Sequence, residues 1–189
     1  MNGDVDNIRK SLRKPIVMVG LMGAGKTKIG ELLAKALGLP FVDADHEIEA
    51  TAGCTISDIF EQYGEPAFRD LERKVIARLM SDQLRVIATG GGAVMNEQTA
   101  SLIWSSSIAI WIKADLDILV ERTSRNNKRP LLQNGDPRAI LQGLMDNRYP
   151  VYASAPVIVE TDAGTAEGTL DRTVKALAEY LAAQDNHPR

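Results

Sequence analysis

Residues 20–27 read GLMGAGKT and follow directly on the apolar run PIVMV. The stretch matches G-x-x-x-x-G-K-[ST], with a β-rich run before it and a helical pattern after it, which is the context that gives the motif meaning. Glycine is costly in ordered backbone, so three glycines in eight residues imply a main chain that curls tightly or lets something approach closely. A phosphate group meets both conditions, because the loop N–H groups turn toward it and the following helix adds positive partial charge. Lys26, facing solvent in the loop, is expected to reach the β/γ-phosphates of a nucleotide, and the Thr27 hydroxyl to meet a Mg²⁺ ion.

Other residues supply chemistry for an acceptor. FVDADHEIE places Asp43 and Asp45 two residues apart at the end of the second apolar run, where strands of an open α/β sheet present ligand contacts. Two carboxylates beside a phosphate loop can divide the work, one toward Mg²⁺ through water and one toward an acceptor hydroxyl. Asp45 as the cap of a helix beginning at His46 is equally open. In FRDLE, Arg69 and Glu72 share one helical face, and a surface ion pair of little worth is the plainer reading. TGGGAV sets Gly90, Gly91 and Gly92 after the third run, which calls for a ligand or a second backbone at close range. Arg148, in DNRYPVY, reads either as a solvated arginine or as a ligand arm. Arg129 lies in the polar stretch TSRNNKRPLLQNGDPR, a surface loop or, as long loops of compact domains often are, a lid.

These residues need a scaffold, and the pattern around them describes one. The runs at 16–19, 41–43, 85–89, 108–112 and 157–160 are apolar without alternation, which predicts strands covered on both faces of a parallel sheet. Between them, Ile29, Leu32, Leu33, Ala36 and Leu37 recur at helical spacing and stop at Gly38 and Pro40. Phe68, Leu71, Val75 and Leu79 form a second stripe, and Leu170, Val174, Leu177 and Leu181 a third. Alternating strands and helices predict a doubly wound α/β domain. Residues 1–14 are polar and read as a mobile arm, 15–184 as a single domain with a lid at about 124–136, and 185–189 as a tail.

Composition narrows the partners. The 189 residues are 44% hydrophobic and 25% charged, enough for one domain with a full core. A net charge of −3 argues against a nucleic acid or an anionic membrane as the main partner. The single Cys54 cannot form an internal disulfide, and with only His46 and His187 no Cys/His metal site is expected; both features suit a reducing cytoplasm. No stretch approaches the roughly 18 apolar residues of a membrane span. The basic RKSLRK before an apolar run imitates a secretion signal, but that run continues into the phosphate loop. Trp104, Trp111 and Cys54 read as packing residues, and nothing points to an obligate protein partner.

In this order and spacing, GLMGAGKT, DAD, FRDLE, GGGAV, RPLL and RYPVY resemble shikimate kinase, over about Pro15 to Glu160. The resemblance implies a small kinase of the nucleoside-monophosphate-kinase type with a five-stranded parallel sheet flanked by helices and a mobile lid. It implies transfer of the γ-phosphate of ATP to the 3-hydroxyl of shikimate, a step toward chorismate and the aromatic amino acids. It further implies ATP on Gly23, Ala24, Gly25, Lys26, Thr27 and Lys28, with Arg122 near adenine and Arg129 on the transferring phosphate. Mg²⁺ would lie on the Thr27 and Asp43 side, and Asp45 would take the shikimate hydroxyls as base. Arg69 and Arg148 would hold the carboxylate, Glu72 would position Arg69, and Gly90, Gly91 and Gly92 would approach the ring. Lys28 and the TDAG stretch at 161–164 depart from the pattern, and the latter brings no basic side chain toward adenine. Gluconate kinase is the nearest rival; a nucleotide kinase and a non-catalytic nucleotide-binding module are further ones.

Overall fold

In the computed structural model, which describes residues 2–124 and 135–185, the apolar runs become one parallel sheet. Its strands are β1 (Ile16–Val19), β2 (Phe41–Asp43), β3 (Val86–Ala88), β4 (Ile108–Ala114) and β5 (Val157–Thr161), in the order β2-β3-β1-β4-β5. Ile16 of the central strand pairs with Val86 on one side and Ile108 on the other. β1 and β3 are buried throughout, as their unbroken apolar sequence requires. β5 departs from the expectation: Val157, Val159 and Thr161 are buried while Ile158 and Glu160 are exposed. It is an edge strand, and its alternation marks one uncovered face.

The helices are α1 (Asn2–Ser11), α2 (Lys26–Leu37), α3 (Ala44–Ala52), α4 (Ile56–Asp82), α5 (Glu97–Ser106), α6 (Leu116–Ser124), α7 (Pro137–Tyr152) and α8 (Ala166–Asp185). Their buried faces carry the expected stripes: Ile29, Leu33 and Leu37 on α2, Phe68, Val75 and Leu79 on α4, and Val174, Leu177 and Leu181 on α8. Thr55 opens α4 through a capping box in which its hydroxyl accepts from the Asp58 N–H and the Asp58 carboxylate accepts from the Thr55 N–H. The helix breaks at Gly64, where φ is 78°, a conformation that side-chain-bearing residues rarely adopt, and Pro66 restarts it.

Where a mobile arm is expected, residues 2–12 are packed on the domain. Residues 2–11 form a helix packed on α2 and α8, with Val5, Ile8 and Leu12 buried in the main core. Arg9 caps the neighbouring helix, donating from Nε to the Leu37 carbonyl at 3.0 Å and from Nη2 to the Ala36 carbonyl at 2.9 Å. Three apolar residues at positions i, i+3 and i+7 are one helical face, a signal short enough to vanish among polar neighbours.

The onward connections from β1 and β3 leave in opposite directions along the sheet, β1 toward β2 and β3 toward β4. Open α/β sheets part at such a point, and a crevice forms beyond the carboxyl ends of the strands. The phosphate loop follows β1, Asp43 ends β2 and the three glycines follow β3, so all face that crevice. Among the described residues no helix is long and apolar enough to cross a membrane.

Candidate active site

The loop leaves β1 at Gly20, whose φ of 139° and position against β4 both require glycine: a β-carbon there would stand 2.6 Å from the Ile112 carbonyl oxygen. The chain turns through Leu21 to Ala24 and enters α2 at Gly25. Lys26 is not solvent-facing as expected. It is 9% exposed, and its ammonium donates to the carbonyls of Gly20 at 2.8 Å and Leu21 at 3.0 Å, folded back over the loop it belongs to. Lys28 points to solvent from the first turn of α2.

Thr27 and Asp43 meet. The Thr27 hydroxyl donates to Asp43 Oδ2 at 3.0 Å, and Asp43 Oδ1 accepts from the Asp45 N–H at 3.0 Å. Asp43, not Asp45, is therefore the cap of α3, which leaves the Asp45 carboxylate in the first turn free of capping duty. A hydroxyl and a carboxylate side by side are hard oxygen donors of the kind that Mg²⁺ takes together with substrate phosphates, so the pair fits that ion.

The residues expected to meet the acceptor converge on the glycine loop, one against each glycine. A β-carbon on Gly90 would lie 2.8 Å from Asp45 Oδ1, one on Gly91 3.4 Å from Arg148 Nη1, and one on Gly92 2.7 Å from Arg69 Nη2. The same absent methyl on Gly91 would touch the phosphate loop, at 3.4 Å from the Gly20 oxygen and 3.5 Å from the Met22 nitrogen. Three consecutive glycines thus let one acid and two arginines from three helices reach a single loop beside the phosphate loop.

Electrostatics follow from this crowding. Burial, then the neighbouring Asp43 carboxylate, push the Asp45 pKa above its ordinary 3.8, against an opposing pull from Lys26. Glu72 is no surface partner: it is 1% exposed, burial raises its pKa, and it accepts from Arg69 Nη1 at 2.7 Å. Burial alone would lower the Arg69 pKa, but its bonds to Glu72 and to Glu65, 3.1 Å away, outweigh that and leave it raised. Arg69 therefore stays cationic and pinned by two carboxylates, its guanidinium against Gly92. An open cavity of about 720 Å³ borders its other side, among Pro66, Arg73, Met95 and Glu97, and touches neither Asp45 nor Arg148.

At the far end, Arg122 bridges the two loops expected to bracket the nucleotide base. It donates to the Ala24 carbonyl at 3.2 Å and to the Asp162 carbonyl at 2.7 Å. Arg172, on α8, holds the same Asp162 by its carboxylate at 3.2 Å, so a basic residue does support the TDAG stretch, from the helix that follows it. Arg129 and most of the proposed lid lie outside the described residues. Sequence reading also passed over the two tyrosines of RYPVY. Tyr149 donates to the Ala114 carbonyl and Tyr152 to the Gly91 carbonyl, and both pack on Trp111 with ring centroids 4.9 and 5.8 Å away. Their spacing of three on a helix was the available signal.

A phosphate loop at the head of a β2-β3-β1-β4-β5 parallel sheet, with an acid and two arginines gathered beside it, is the arrangement of a P-loop kinase. The family model for shikimate kinase matches residues 22–183. The shikimate kinase of Brucella canis is 50% identical over 182 residues, covering 96% of this chain and 91% of the relative. The solved structure of shikimate kinase from Acinetobacter baumannii in complex with shikimate superposes with a TM-score of 0.83 at 34% identity, covering 97% of this chain and 99% of that one. A gluconokinase from Sinorhizobium meliloti shares the fold at a TM-score of 0.60 and 16% identity, over 93% and 97% of the two chains. The chain belongs to the shikimate kinase family.

Proposed function

We propose that this shikimate kinase transfers the γ-phosphoryl group of ATP to the 3-hydroxyl of shikimate, with Asp45 as the base and Arg69 and Arg148 as the carboxylate clamp. The observation that supports it is the pairing of Asp45, Arg148 and Arg69 with Gly90, Gly91 and Gly92 in turn. A ring with hydroxyls on one side and a carboxylate on the other needs an acid acceptor at one end and guanidinium forks at the other. The clamp fixes the ring, and Asp45, whose raised pKa makes it a stronger base than an ordinary carboxylate, takes the proton as the hydroxyl oxygen bonds to phosphorus. The bond from phosphorus to the bridging oxygen of ADP breaks in the same transfer.

Lys26 exchanges the Gly20 and Leu21 carbonyls for phosphate oxygens when nucleotide binds, so its charge is held near the loop at all times. Thr27 and Asp43 would hold Mg²⁺, which when bound neutralises charge on the phosphates. Arg122 sits where it can flank the base, between the phosphate loop and the loop after β5. Incubation with ATP, Mg²⁺ and either shikimate or gluconate tests the reading. ADP release is expected with shikimate and little with gluconate; turnover of gluconate with shikimate inert would overturn it.

A further inference from the structure

Among the described glycines, Gly91 is the one that both the acceptor clamp and the phosphate loop approach. Arg148 Nη1, the Gly20 carbonyl oxygen and the Met22 nitrogen all lie within 3.5 Å of the place a β-carbon on Gly91 would take. A glycine in a loop has little of its own to hold that position, yet the spacing it sets is the spacing between acceptor and donor. We propose that Tyr152 is the positioning residue that fixes this register, its hydroxyl bolting the Gly91 carbonyl to α7 and so holding Arg148 and the phosphate loop at one separation.

Several features support the assignment. Tyr152 is fully buried, so no solvent competes for its hydroxyl, and that hydroxyl donates to Gly91 alone among the described backbone carbonyls. Burial pushes its pKa up to about 12, against the charge of Arg148 and a side-chain hydrogen bond from that guanidinium, so it remains a protonated donor throughout any working range. Its ring is braced against Trp111 of β4, and Trp111 in turn lies against Gly20, where a β-carbon would be 3.4 Å from the indole. Arg148 and Tyr152 are four residues apart on α7, with Pro150 between them, so the bolt and the clamp share one face of one helix. Phosphoryl transfer depends almost wholly on alignment, and a misplacement of about 1 Å can cost roughly a hundredfold in rate.

The inference rests on the proposed roles of Arg148 and the phosphate loop, and its test separates the two. Tyr152→Phe removes only the hydroxyl. Its kcat should fall at least about tenfold while the dissociation constant of ATP, measured by calorimetry, stays within about threefold, and that of shikimate rises less than kcat falls, because the register of the two half-sites is lost more than either half-site itself. A larger share of ADP should also appear without phosphorylated acceptor, a signature that simple loss of folded protein does not produce. Tyr149→Phe is the internal control: it loses the same kind of bond, to Ala114 at the end of β4, and should keep kcat within about threefold. Should Tyr152→Phe fail to fold, Trp111→Phe loosens the brace on the Tyr152 ring while keeping its hydroxyl, and should give a smaller loss of the same rate-selective kind. Unchanged kcat in the folded variant, or equal losses in the two tyrosine variants, would overturn the proposal. Absence of shikimate-dependent ADP release from the wild-type protein would instead overturn the functional reading beneath it.

Discussion

Asp45 carries two opposed demands, and one substitution reads both. Folding disfavours its ionised form, since its pKa in the folded protein is raised above 3.8. The carboxylate therefore subtracts stability above the folded pKa, and the penalty fades as pH falls toward 3.8. Asp45→Asn should raise the melting temperature at neutral pH, with the gain vanishing in acid, while kcat drops by about a hundredfold or more. Thermal unfolding and steady-state kinetics across pH check both halves, and a variant less stable at neutral pH would contradict the first. The arginine clamp fails differently. Arg69→Ala should raise the KM for shikimate more than it lowers kcat, because the carboxylate carries the same charge throughout the reaction. It also leaves Glu72 buried without its main partner, a loss on the order of 3 kcal/mol. Adding Glu72→Gln should recover much of that stability and none of the shikimate affinity, a split that unfolding and calorimetry on the double variant can show.

Among the elements, α1 carries the sharpest consequence, because a mobile arm and a docked helix predict opposite results. Ile8 is fully buried between α1 and the rest of the core. Ile8→Ala should cost about 3 kcal/mol, as large-to-small changes in well-packed cores do. For a domain of this size that is a fall in melting temperature of roughly 6–12 °C. An arm in solvent would show no change. α1 caps the C-terminal end of α2 through Arg9, whereas the phosphate loop enters that helix at its N-terminal end, so kcat measured well below the melting point should hold. The break at Gly64 has an element-scale consequence too: it lets α4 present Phe60 against Phe68, ring centroids 4.6 Å apart, beside the arginine that faces the glycine loop.

For the whole molecule, the site is assembled from segments that only the sheet holds together, so substrate binding and folding are coupled. A ligand that binds only the folded state at a hundred times its dissociation constant adds about 2.7 kcal/mol. Saturating shikimate should then raise the melting temperature by roughly 5–10 °C for a chain of this length. The shift should persist in Asp45→Asn, which keeps the clamp, and shrink sharply in Arg148→Ala, which loses half of it. Differential scanning calorimetry with and without shikimate checks this, and a full shift in Arg148→Ala would remove that residue from the acceptor site.

The sequence determined what depends on local order. Apolar runs set the strands, helical stripes set the buried faces of α2, α4 and α8, and GLMGAGKT and GGGAV named the two loops, because glycine spacing and strand-to-helix order are written in consecutive residues. Only the tertiary structure decided what depends on distant partners. Whether Asp43 or Asp45 capped α3 turned on backbone that sequence does not display, and Glu72 became a buried counter-charge only when α4 docked. Lys26 found carbonyls in its own loop, and Arg172 reached Asp162 from ten residues away. Tyr152 shows the difference most plainly: its partner lies 61 residues earlier in the chain, and a hydroxyl finds such a carbonyl only after β3, β4 and α7 have packed.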